Sequence, residues 1–300
     1  YVYNSWYEAK RKYPQIYEKK RNDIVELSDW FNVDCDFKFD HLITFDLESM
    51  LKKIDDQTQS KLKYVAEHVP VSVSIATNVP GFEHEYFILS IDPSCIPVRL
   101  FEYFDKIAEK SAELMLNKMK PLIEKIEQHY NECEKRQWLE KIESYCTCIP
   151  IVGFNSGFYD INLLSKYGFM AEILKRDSEP FVIKHGTQYK TIKTKQFIFL
   201  DQMSFCAPGT SLRKFIEAHD VGLEKGHFPY EFLDSYDKLD FLVSNLKISD
   251  FDSSLKNSKL SESEFSNLMR TCKELNLVKI SDLLKWYNNL DVVPLLKACL

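Results

Sequence analysis

The sequence lacks the features that mark several specialised classes of protein. No apolar run approaches the ~20 residues that a membrane-spanning helix needs, and no secretory signal is visible. The chain also has neither an internal repeat nor a low-complexity segment. With 300 residues, of which 45% are hydrophobic and 28% charged, it can bury a sizeable core. We therefore expect a globular protein with no membrane partner.

The missing secretory signal also bears on the eight cysteines of the chain. Thiols stay reduced inside cells, so this composition predicts an intracellular protein and leaves nucleus and cytoplasm undecided. Cys133, Cys146 and Cys148 lie close together in sequence, with His129 as the nearby imidazole. Their spacing fits no standard zinc finger, so buried or idle thiols are favoured over a zinc site.

The charge of the chain is unevenly distributed. A net charge of −6 argues against a protein that binds nucleic acid over its whole surface. Residues 184–214, however, carry six basic side chains and one acid, a net charge of +5. The basic residues are Lys184, Lys190, Lys193, Lys195, Arg213 and Lys214. This basic strip is typical of a path for phosphates beside a carboxylate site, although an ordinary solvated hairpin has the same composition.

Hydrophobic periodicity predicts strands first and then helices alternating with strands. The predicted strands cover residues 42–45, 71–78, 85–92 and 148–154, and a hairpin over 180–201 turns near His185–Gly186. A helical pattern runs from Leu100 to about residue 145, and Pro121 is expected to break it. This order predicts a mixed α/β sheet with helices packed on it.

Three further helices are predicted around the remaining motifs. One opens near Gly157 and ends at Tyr167–Gly168. The other two cover residues 261–275 and 281–298, the second with Ser281 as its N-cap.

Paired carboxylates follow the first predicted strand. Asp46 and Glu48 are two residues apart, so the period of a strand turns both side chains to one face. The two charges repel unless a cation lies between them, and hard divalent ions prefer such oxygen ligands. Isolated pairs of this kind are usually surface charges.

A third acid, Asp160, follows the strand at 149–153 through Gly153 and Gly157, which let the backbone turn tightly. If that strand lies beside 42–46, Asp160 can face Asp46. The alternative is that Asp160 or Asn155 caps a helix.

A fourth acid belongs to a Tyr-x-x-x-Asp pattern, whose two side chains share a helix face. The pattern occurs at Tyr230–Asp234, Tyr236–Asp240 and Tyr287–Asp291. We choose the third, because it lies in a helix with a regular apolar stripe. Asp46, Glu48, Asp160 and Asp291 then form a set that can hold two divalent metals about 3.5–4 Å apart, the arrangement used to hydrolyse phosphodiesters.

The order of these motifs resembles the 3′→5′ exonuclease domain of family B DNA polymerases, within them the protein-primed branch of viruses, linear plasmids and self-synthesising transposons. FDLE, NSGFYD and YNNLD match the first, second and third exonuclease motifs. TSLRKF (210–215) and KGHF (225–228) resemble two further motifs of that branch. The match covers residues 39–300 as one exonuclease domain, with 1–38 as an unassigned flanking segment.

The resemblance implies an RNase H-like mixed β-sheet flanked by helices, of the type that carries four acids and a tyrosine (DEDDy). It implies that Asp46, Glu48 and Asp291 bind one divalent cation, that Asp160 binds a second, and that Asp46 bridges both. Because all the ligands are oxygens, Mg²⁺ or Mn²⁺ is expected. Tyr287 is implied to orient the attacking water.

The resemblance also implies contacts with the substrate, the 3′ end of a single-stranded DNA primer. Asn155 and Tyr159 hold that end, Ser211 and Leu212 line the path of the strand, and Lys225 steadies the scissile end. A terminal protein is the expected primer of the full-length enzyme.

The palm signatures of a polymerase are absent from the chain, which begins with Tyr1 and ends in a helical pattern. We therefore expect a piece of a longer polymerase. The alternatives are a self-standing exonuclease, a remnant that binds single strands without cutting, and a structural domain whose acids are surface charges.

Overall fold

The structure, a computed structural model, describes residues 23–34, 39–54, 66–222, 226–254 and 257–300. It divides into two compact units. The smaller unit joins the N-terminal residues, up to Asp40, with residues 109–148, and the larger contains residues 41–108 and 149–300. The assignment of residues 39–300 to one exonuclease domain stays a prediction, and most of the flanking segment lies outside the described residues.

The smaller unit is helical. It contains α1 (Asp23–Phe31), the second part of α2 (Cys95–His129) and α3 (Glu132–Thr147). Its core is an apolar cluster of Ile24, Leu27, Met115, Met119, Leu122, Ile126, Ile142 and Cys146. Helix α3 begins at a capping box, in which Asn131 accepts from the backbone N–H of Glu134 and the Glu134 carboxylate reaches back to Asn131.

The expected break at Pro121 is wrong, because α2 runs through this residue to His129. A proline removes one backbone hydrogen bond, the one that would reach the carbonyl of Asn117. Both Pro121 and Asn117 are exposed, so water can satisfy that carbonyl. The buried stripe of Met119, Leu122 and Ile126 continues on the opposite side and keeps the helix in one piece.

The larger unit is built on a seven-stranded mixed sheet. Its strands are β1 (Ile43–Lys53), β2 (Ala66–Thr77), β3 (Tyr86–Leu89), β4 (Ile149–Gly153), β5 (Phe181–His185), β6 (Gln188–Lys193) and β7 (Phe197–Asp201). The order across the sheet is β3-β2-β1-β4-β7-β6-β5. The β1–β4 and β4–β7 pairs are parallel and the other neighbours are antiparallel. The predicted α/β class is confirmed, and this arrangement is compatible with an RNase H-like sheet. Strands β1 and β4 are neighbours, which was the condition for Asp160 to face Asp46.

The hairpin predicted over residues 180–201 contains three strands. It turns at Gly186, whose φ of 60° lies in the left-handed region. A second turn separates β6 from β7. It is stabilised by the buried hydroxyl of Thr194, which accepts from the backbone N–H groups of Gln196 and Phe197.

One face of the sheet is covered by aromatic side chains. Phe45 of β1 packs edge-on against Phe104 of α2, with ring centroids 6.3 Å apart. Phe101 of α2 contacts Phe169 of α5 (Phe169–Arg176) at 5.1 Å, and Phe169 contacts Phe199 of β7 at 5.3 Å. All of these rings are almost completely buried, so this layer anchors β1 and β7 from one side.

The opposite face carries hydroxyl groups that meet α8 (Ile280–Cys299). Thr44 Oγ1 donates to the carbonyl of Val292 over 2.9 Å, Ser72 Oγ to Asn288 Oδ1 over 3.3 Å, and Ser74 Oγ to Asn289 Oδ1 over 2.7 Å. Because buried polar groups need partners, these three bonds hold α8 in one register along β1 and β2.

The rest of the larger unit consists of short helices. They are α4 (Asp160–Ser165), α6 (Leu212–Ala218), α7 (Glu262–Glu274) and four 3₁₀ segments at Gln202–Phe205, Tyr236–Asp240, Val243–Asn245 and Ile248–Phe251. None of the helices in the described ranges has the length and apolar character needed to cross a membrane.

The predicted N-cap of the last helix is wrong. Helix α8 begins at Ile280, so Ser281 is already inside it. The carboxylate of Asp282 accepts from the backbone N–H groups of Val278 and Lys279, at 3.0 and 2.9 Å. This acceptor from within the first turn caps the helix without a preceding serine.

Candidate metal centre

Three of the four predicted acids converge between β1 and α8. Asp46, Glu48 and Asp291 each offer a carboxylate oxygen, and these oxygens all lie within 4.8 Å of one another. Asp46 and Glu48 come from alternate positions of β1, and Asp291 comes from the middle of α8. Such a cluster of oxygen ligands can hold a metal ion.

Asp160, the fourth predicted acid, is buried at the start of α4. Its carboxylate accepts from the backbone N–H of Leu47, the residue between Asp46 and Glu48. Its charge also raises the pKa of Asp46. Asp160 therefore lies beside Asp46, although it is not one of the three acids within 4.8 Å. Tyr159 occupies the N-cap position of α4 without a side-chain capping bond, and Asp160 is the first residue inside the helix.

Asn288 supports this cluster, and sequence reasoning missed it. Its side-chain amide is fully buried and donates to Asp46 Oδ2 over 3.0 Å. Its oxygen accepts from Ser72, so both ends of the amide are used. Asn288 is three residues before Asp291 on the same helix face, and this spacing in YNNLD was the available signal.

Two tyrosines face Glu48. Tyr230 donates its O–H to Glu48 Oε1 over 3.1 Å, and it also hydrogen-bonds to Tyr287. The choice of Tyr287–Asp291 among the three patterns agrees with the position of Asp291 in the cluster. Tyr230 reaches the site as well, whereas Asp234 pairs with Lys53 and Lys238 instead.

Gly226 allows the chain to pass close to Tyr287. A Cβ at residue 226 would lie 2.8 Å from Tyr287 Cδ2 and 2.6 Å from Leu290 Cδ1. Glycine is thus the residue that fits against this ring. Lys225, the preceding residue of the KGHF motif, lies outside the described residues.

Burial controls the protonation of the cluster. It is the largest cause that raises the pKa of Asp160 to about 7 and that of Asp291 to about 6. The pKa of Asp46 is raised well above its ordinary value, first by burial and then by Asp160, Asp291 and Glu48. Carboxylates held this close take up protons unless a cation replaces them. The donor set, its burial and its charge therefore fit a divalent cation with Asp46, Glu48 and Asp291 as ligands and Asp160 adjacent.

The two tyrosines stay protonated at neutral pH. Burial, followed by the charge of Glu48, raises the pKa of both Tyr230 and Tyr287 above the ordinary range of a phenol. They can therefore act as hydrogen-bond donors and not as bases.

The loop between β4 and α4 is held by a buried acid, Asp201, that the sequence analysis counted only as a charge. Asp201 Oδ1 accepts from the backbone N–H of Asn155 over 2.8 Å, and Oδ2 accepts from Gly157 over 3.3 Å. Asn155 has a φ of 61°, in the left-handed region that asparagine tolerates. Its side chain makes no hydrogen bond within the described part of the chain. The predicted role of Asn155 in binding a primer stays a prediction.

A cavity of about 530 Å³ adjoins the cluster. Glu48 and Tyr287 form part of its wall, and Tyr159 with Ser49 and His68 forms another part. Burial is the largest cause that raises the pKa of Tyr159, so this phenol also stays protonated. Concave sites with a few convergent polar groups are where proteins usually bind small ligands.

Ser211 and Leu212 occupy structural positions. Ser211 caps α6 by accepting from the backbone N–H of Lys214 over 3.3 Å. Leu212 packs against a cluster that contains Phe215, Ile216 and Leu295. Their predicted role along a single strand stays a prediction.

In the basic strip, Lys184 lies over the ring of Tyr189 at 4.0 Å, and Tyr189 donates its backbone N–H to Gly157. The strip therefore adjoins the loop that carries Tyr159.

The cysteines considered for a zinc site differ in their exposure to solvent. Cys146 is buried in the apolar core of the smaller unit, while Cys133 is exposed. The preference for buried or idle thiols over a zinc site stays a prediction.

Comparison with known proteins finds no family model that matches this chain and no curated protein that matches it.

Proposed function

We propose that this chain carries a 3′→5′ exonuclease site that removes nucleotides from the 3′ end of single-stranded DNA, as the proofreading domain of a protein-primed family B DNA polymerase. The observation that supports it most is the convergence of Asp46, Glu48 and Asp291 within 4.8 Å, with Asp160 beside Asp46. These are the acids that the motif resemblance named from three distant parts of the chain.

The fold is in keeping with this proposal. The first motif lies on β1, and the second follows β4, the strand next to it. Helix α8, which packs on β1 and β2, carries the third motif. The proposed fold is therefore RNase H-like, of the DEDDy type, with Tyr287 as its tyrosine.

Two divalent cations, Mg²⁺ or Mn²⁺, are the proposed cofactors. Asp46, Glu48 and Asp291 would hold one of them, and Asp160 with Asp46 the other. When bound, such ions lower the pKa of a coordinated water and neutralise charge on the phosphate.

The side chains of the protein orient the attacking water and the metal ligands. Tyr287 is kept protonated by burial, and its hydroxyl oxygen accepts from the attacking water and orients it at the phosphorus. The bond between the phosphorus and the 3′ oxygen of the preceding nucleotide breaks. The water loses a proton to solvent, the released 3′ oxygen takes one up, and a nucleoside 5′-monophosphate leaves. Tyr230 and Asn288 fix the orientation of Glu48 and Asp46 through their hydrogen bonds.

The proposed partner is the 3′ end of a single strand, which Tyr159 would contact in the cavity. Asn155 would also hold that end, and Lys225 would contact it near the scissile bond. The basic strip of residues 184–214 offers favourable charge for its phosphates. In the full-length enzyme, which we propose to be intracellular, a terminal protein would act as primer.

The test uses a 5′-labelled single-stranded oligonucleotide with Mg²⁺ or Mn²⁺. We expect a ladder that shortens from the 3′ end, and its loss in Asp46→Ala and Asp160→Ala. Asp237→Ala is the control, because this acid is exposed and belongs to none of the five motifs. It should cleave like the unaltered chain.

The same assay separates the rival functions. Strand binding without shortening, even with the chain in excess over DNA, would identify a non-catalytic single-strand-binding domain. Shortening that persists in Asp46→Ala would exclude the acid cluster as the active site. Equal cleavage of RNA and DNA ends would favour a self-standing exonuclease.

A further inference from the structure

Three side chains from separate segments meet at the wall of the cavity beside the acid cluster. The hydroxyl of Tyr159 lies 2.8 Å from Ser49 Oγ and 2.5 Å from His68 Nδ1. Ser49 Oγ and His68 Nδ1 are themselves 3.1 Å apart. All three residues line the cavity. The motif resemblance assigns no role to His68.

A β-bulge in β2 brings His68 to this wall. Glu48 is paired with Ser72 and Ser49 with Pro70, so Val71 is an extra residue on β2. An extra residue reverses the face of the side chains that follow it along a strand. His68 is therefore paired with Leu51 and lies on the same face as Ser49, and both residues line the cavity. Bulges are frequent next to active sites.

The hydrogen bonds of the three groups have a consistent direction. Burial, followed by the charge of Lys166, lowers the pKa of His68, so the imidazole is neutral and one ring nitrogen is an acceptor. Tyr159 then donates its O–H to His68 Nδ1, and Ser49 donates its O–H to the Tyr159 oxygen. The two rings meet edge to face, with centroids 5.6 Å apart and an interplanar angle of 84°. Tyr159 is thus held both at its hydroxyl and at its ring.

We propose that His68 is a positioning residue that fixes Tyr159 as the wall of the cavity against which the terminal nucleotide of the strand lies. This inference rests on the proposed function. Tyr159 directly precedes Asp160, so a fixed phenol ring sets the position of the nucleotide relative to the acids. A side chain that is ordered before binding loses less entropy when the ligand arrives.

The experiment compares His68→Ala, His68→Asn, Tyr159→Phe and the His68→Ala/Tyr159→Phe double variant. Asn can place its side-chain oxygen where His68 has Nδ1, and so keeps an acceptor for Tyr159. We expect His68→Ala to raise KM and the Kd for the oligonucleotide about 3- to 10-fold, the cost of ordering one side chain, with a smaller change in kcat. His68→Asn should restore most of the loss. In the Tyr159→Phe background, His68→Ala should have no further effect.

Two outcomes would overturn the inference. One is an equal effect of His68→Ala with and without the Tyr159 hydroxyl. The other is an oligonucleotide Kd and KM for His68→Ala that match the unaltered chain. If the unaltered chain neither binds nor cleaves the oligonucleotide, the proposed function fails instead, so the two failures are distinguishable.

A spectroscopic readout does not depend on activity. In the ¹⁵N-histidine NMR spectrum of the whole chain, the His68 signals are those that His68→Asn removes. We expect them to report a neutral ring protonated at Nε2, with an Nδ1 signal that moves in Tyr159→Phe. An Nδ1 signal unaffected by Tyr159→Phe would contradict the hydrogen bond on which the inference depends. This measurement and the Asn variant keep the test decisive even if His68→Ala does not fold.

Discussion

The amide of Asn288 donates to Asp46 Oδ2 over 3.0 Å while its oxygen accepts from Ser72. One buried side chain thus connects the central ligand of the acid cluster to strand β2. The next residue, Asn289, accepts from Ser74 in the same way but has no bond to Asp46. Asn288 therefore both supports the acid cluster and attaches α8 to the sheet, whereas Asn289 only attaches the helix.

We predict that Asn288→Ala lowers the affinity for Mn²⁺ about 10- to 100-fold, since groups that orient metal ligands have effects of this size. It should also lower the free energy of unfolding by about 1–3 kcal/mol, because Ser72 loses its buried partner. Asn289→Ala should lose stability without losing affinity for Mn²⁺. Titration with Mn²⁺ and urea unfolding measure both. Equal metal affinities of the two variants would show that Asn288 does not support the site.

A second prediction concerns Tyr230, whose O–H donates to Glu48 Oε1 over 3.1 Å. Hydrogen bonds to a charged group contribute about 1.5–3 kcal/mol, so Tyr230→Phe should weaken Mn²⁺ binding about 10-fold or more. Tyr236→Phe is the matched control. The Tyr236 hydroxyl is buried without a partner among the described residues, so its removal should leave metal affinity unchanged and stability equal or higher. A Tyr230→Phe variant with unaltered Mn²⁺ affinity would contradict the role of this phenol.

The sequence allowed the central part of the fold to be predicted. The apolar runs at 42–45 and 148–154 are buried strands, as predicted. Their parallel pairing was only a condition of the sequence argument, and the structure supplies it. The errors at Pro121 and Ser281 have a common cause. Whether a proline breaks a helix depends on what surrounds the lost hydrogen bond, and a cap can come from a side chain inside the first turn, as Asp282 does here. The hydrophobic periodicity of a sequence shows neither the surroundings of a proline nor the source of a cap.

The acids of the site were predictable because each belongs to a local motif. Their supporting residues were not, since they depend on tertiary geometry. His68 lies on the same face as Ser49 only through a bulge in β2, and no motif surrounds it. Tyr230 belongs to one of the three Tyr-x-x-x-Asp patterns. The spacing alone did not indicate that tyrosines from two of these patterns reach the site.

A third prediction concerns pH. The pKa values of Asp160 and Asp291 are raised to about 7 and about 6, above the ~3.9 of an aspartate in an unfolded chain. Between these values the folded state binds more protons than the unfolded state, so the free energy of unfolding falls as pH rises through this window. Without metal, stability should therefore decline from about pH 4 to about pH 7, by up to about 4 kcal/mol from Asp160.

Mn²⁺ should oppose this decline, because the cation binds the deprotonated carboxylates and its stabilisation grows over the same window. Urea unfolding in EDTA and in Mn²⁺ at several pH values measures both effects. Asp160→Asn, which cannot ionise, should flatten the decline in EDTA. If the difference in stability between this variant and the unaltered chain does not change with pH, the raised pKa of Asp160 is wrong.

The last prediction tests the loop that carries Tyr159 and Asp160. A Cβ on Gly157 would lie 2.0 Å from the backbone oxygen of Tyr189, an atom that cannot move away as a flexible side chain would. Gly157 also donates to Asp201 and accepts from the N–H of Tyr189 over 2.8 Å, so the loop cannot shift without losing these bonds. Gly157→Ala should therefore cost about 1–3 kcal/mol in stability. A displacement of about 1 Å at Asp160 should lower the cleavage rate about 100-fold.

Gly222→Ala is the control for this change. Nothing lies within 4 Å of the Cβ it would add, so its stability should be unchanged or higher, since alanine restricts the unfolded chain. Urea unfolding and the rate of 3′-end shortening of the labelled oligonucleotide distinguish the two variants. A Gly157→Ala chain that unfolds and cleaves like the unaltered one would mean that the loop tolerates a shift, and that the close contact with Tyr189 does not hold Asp160 in place.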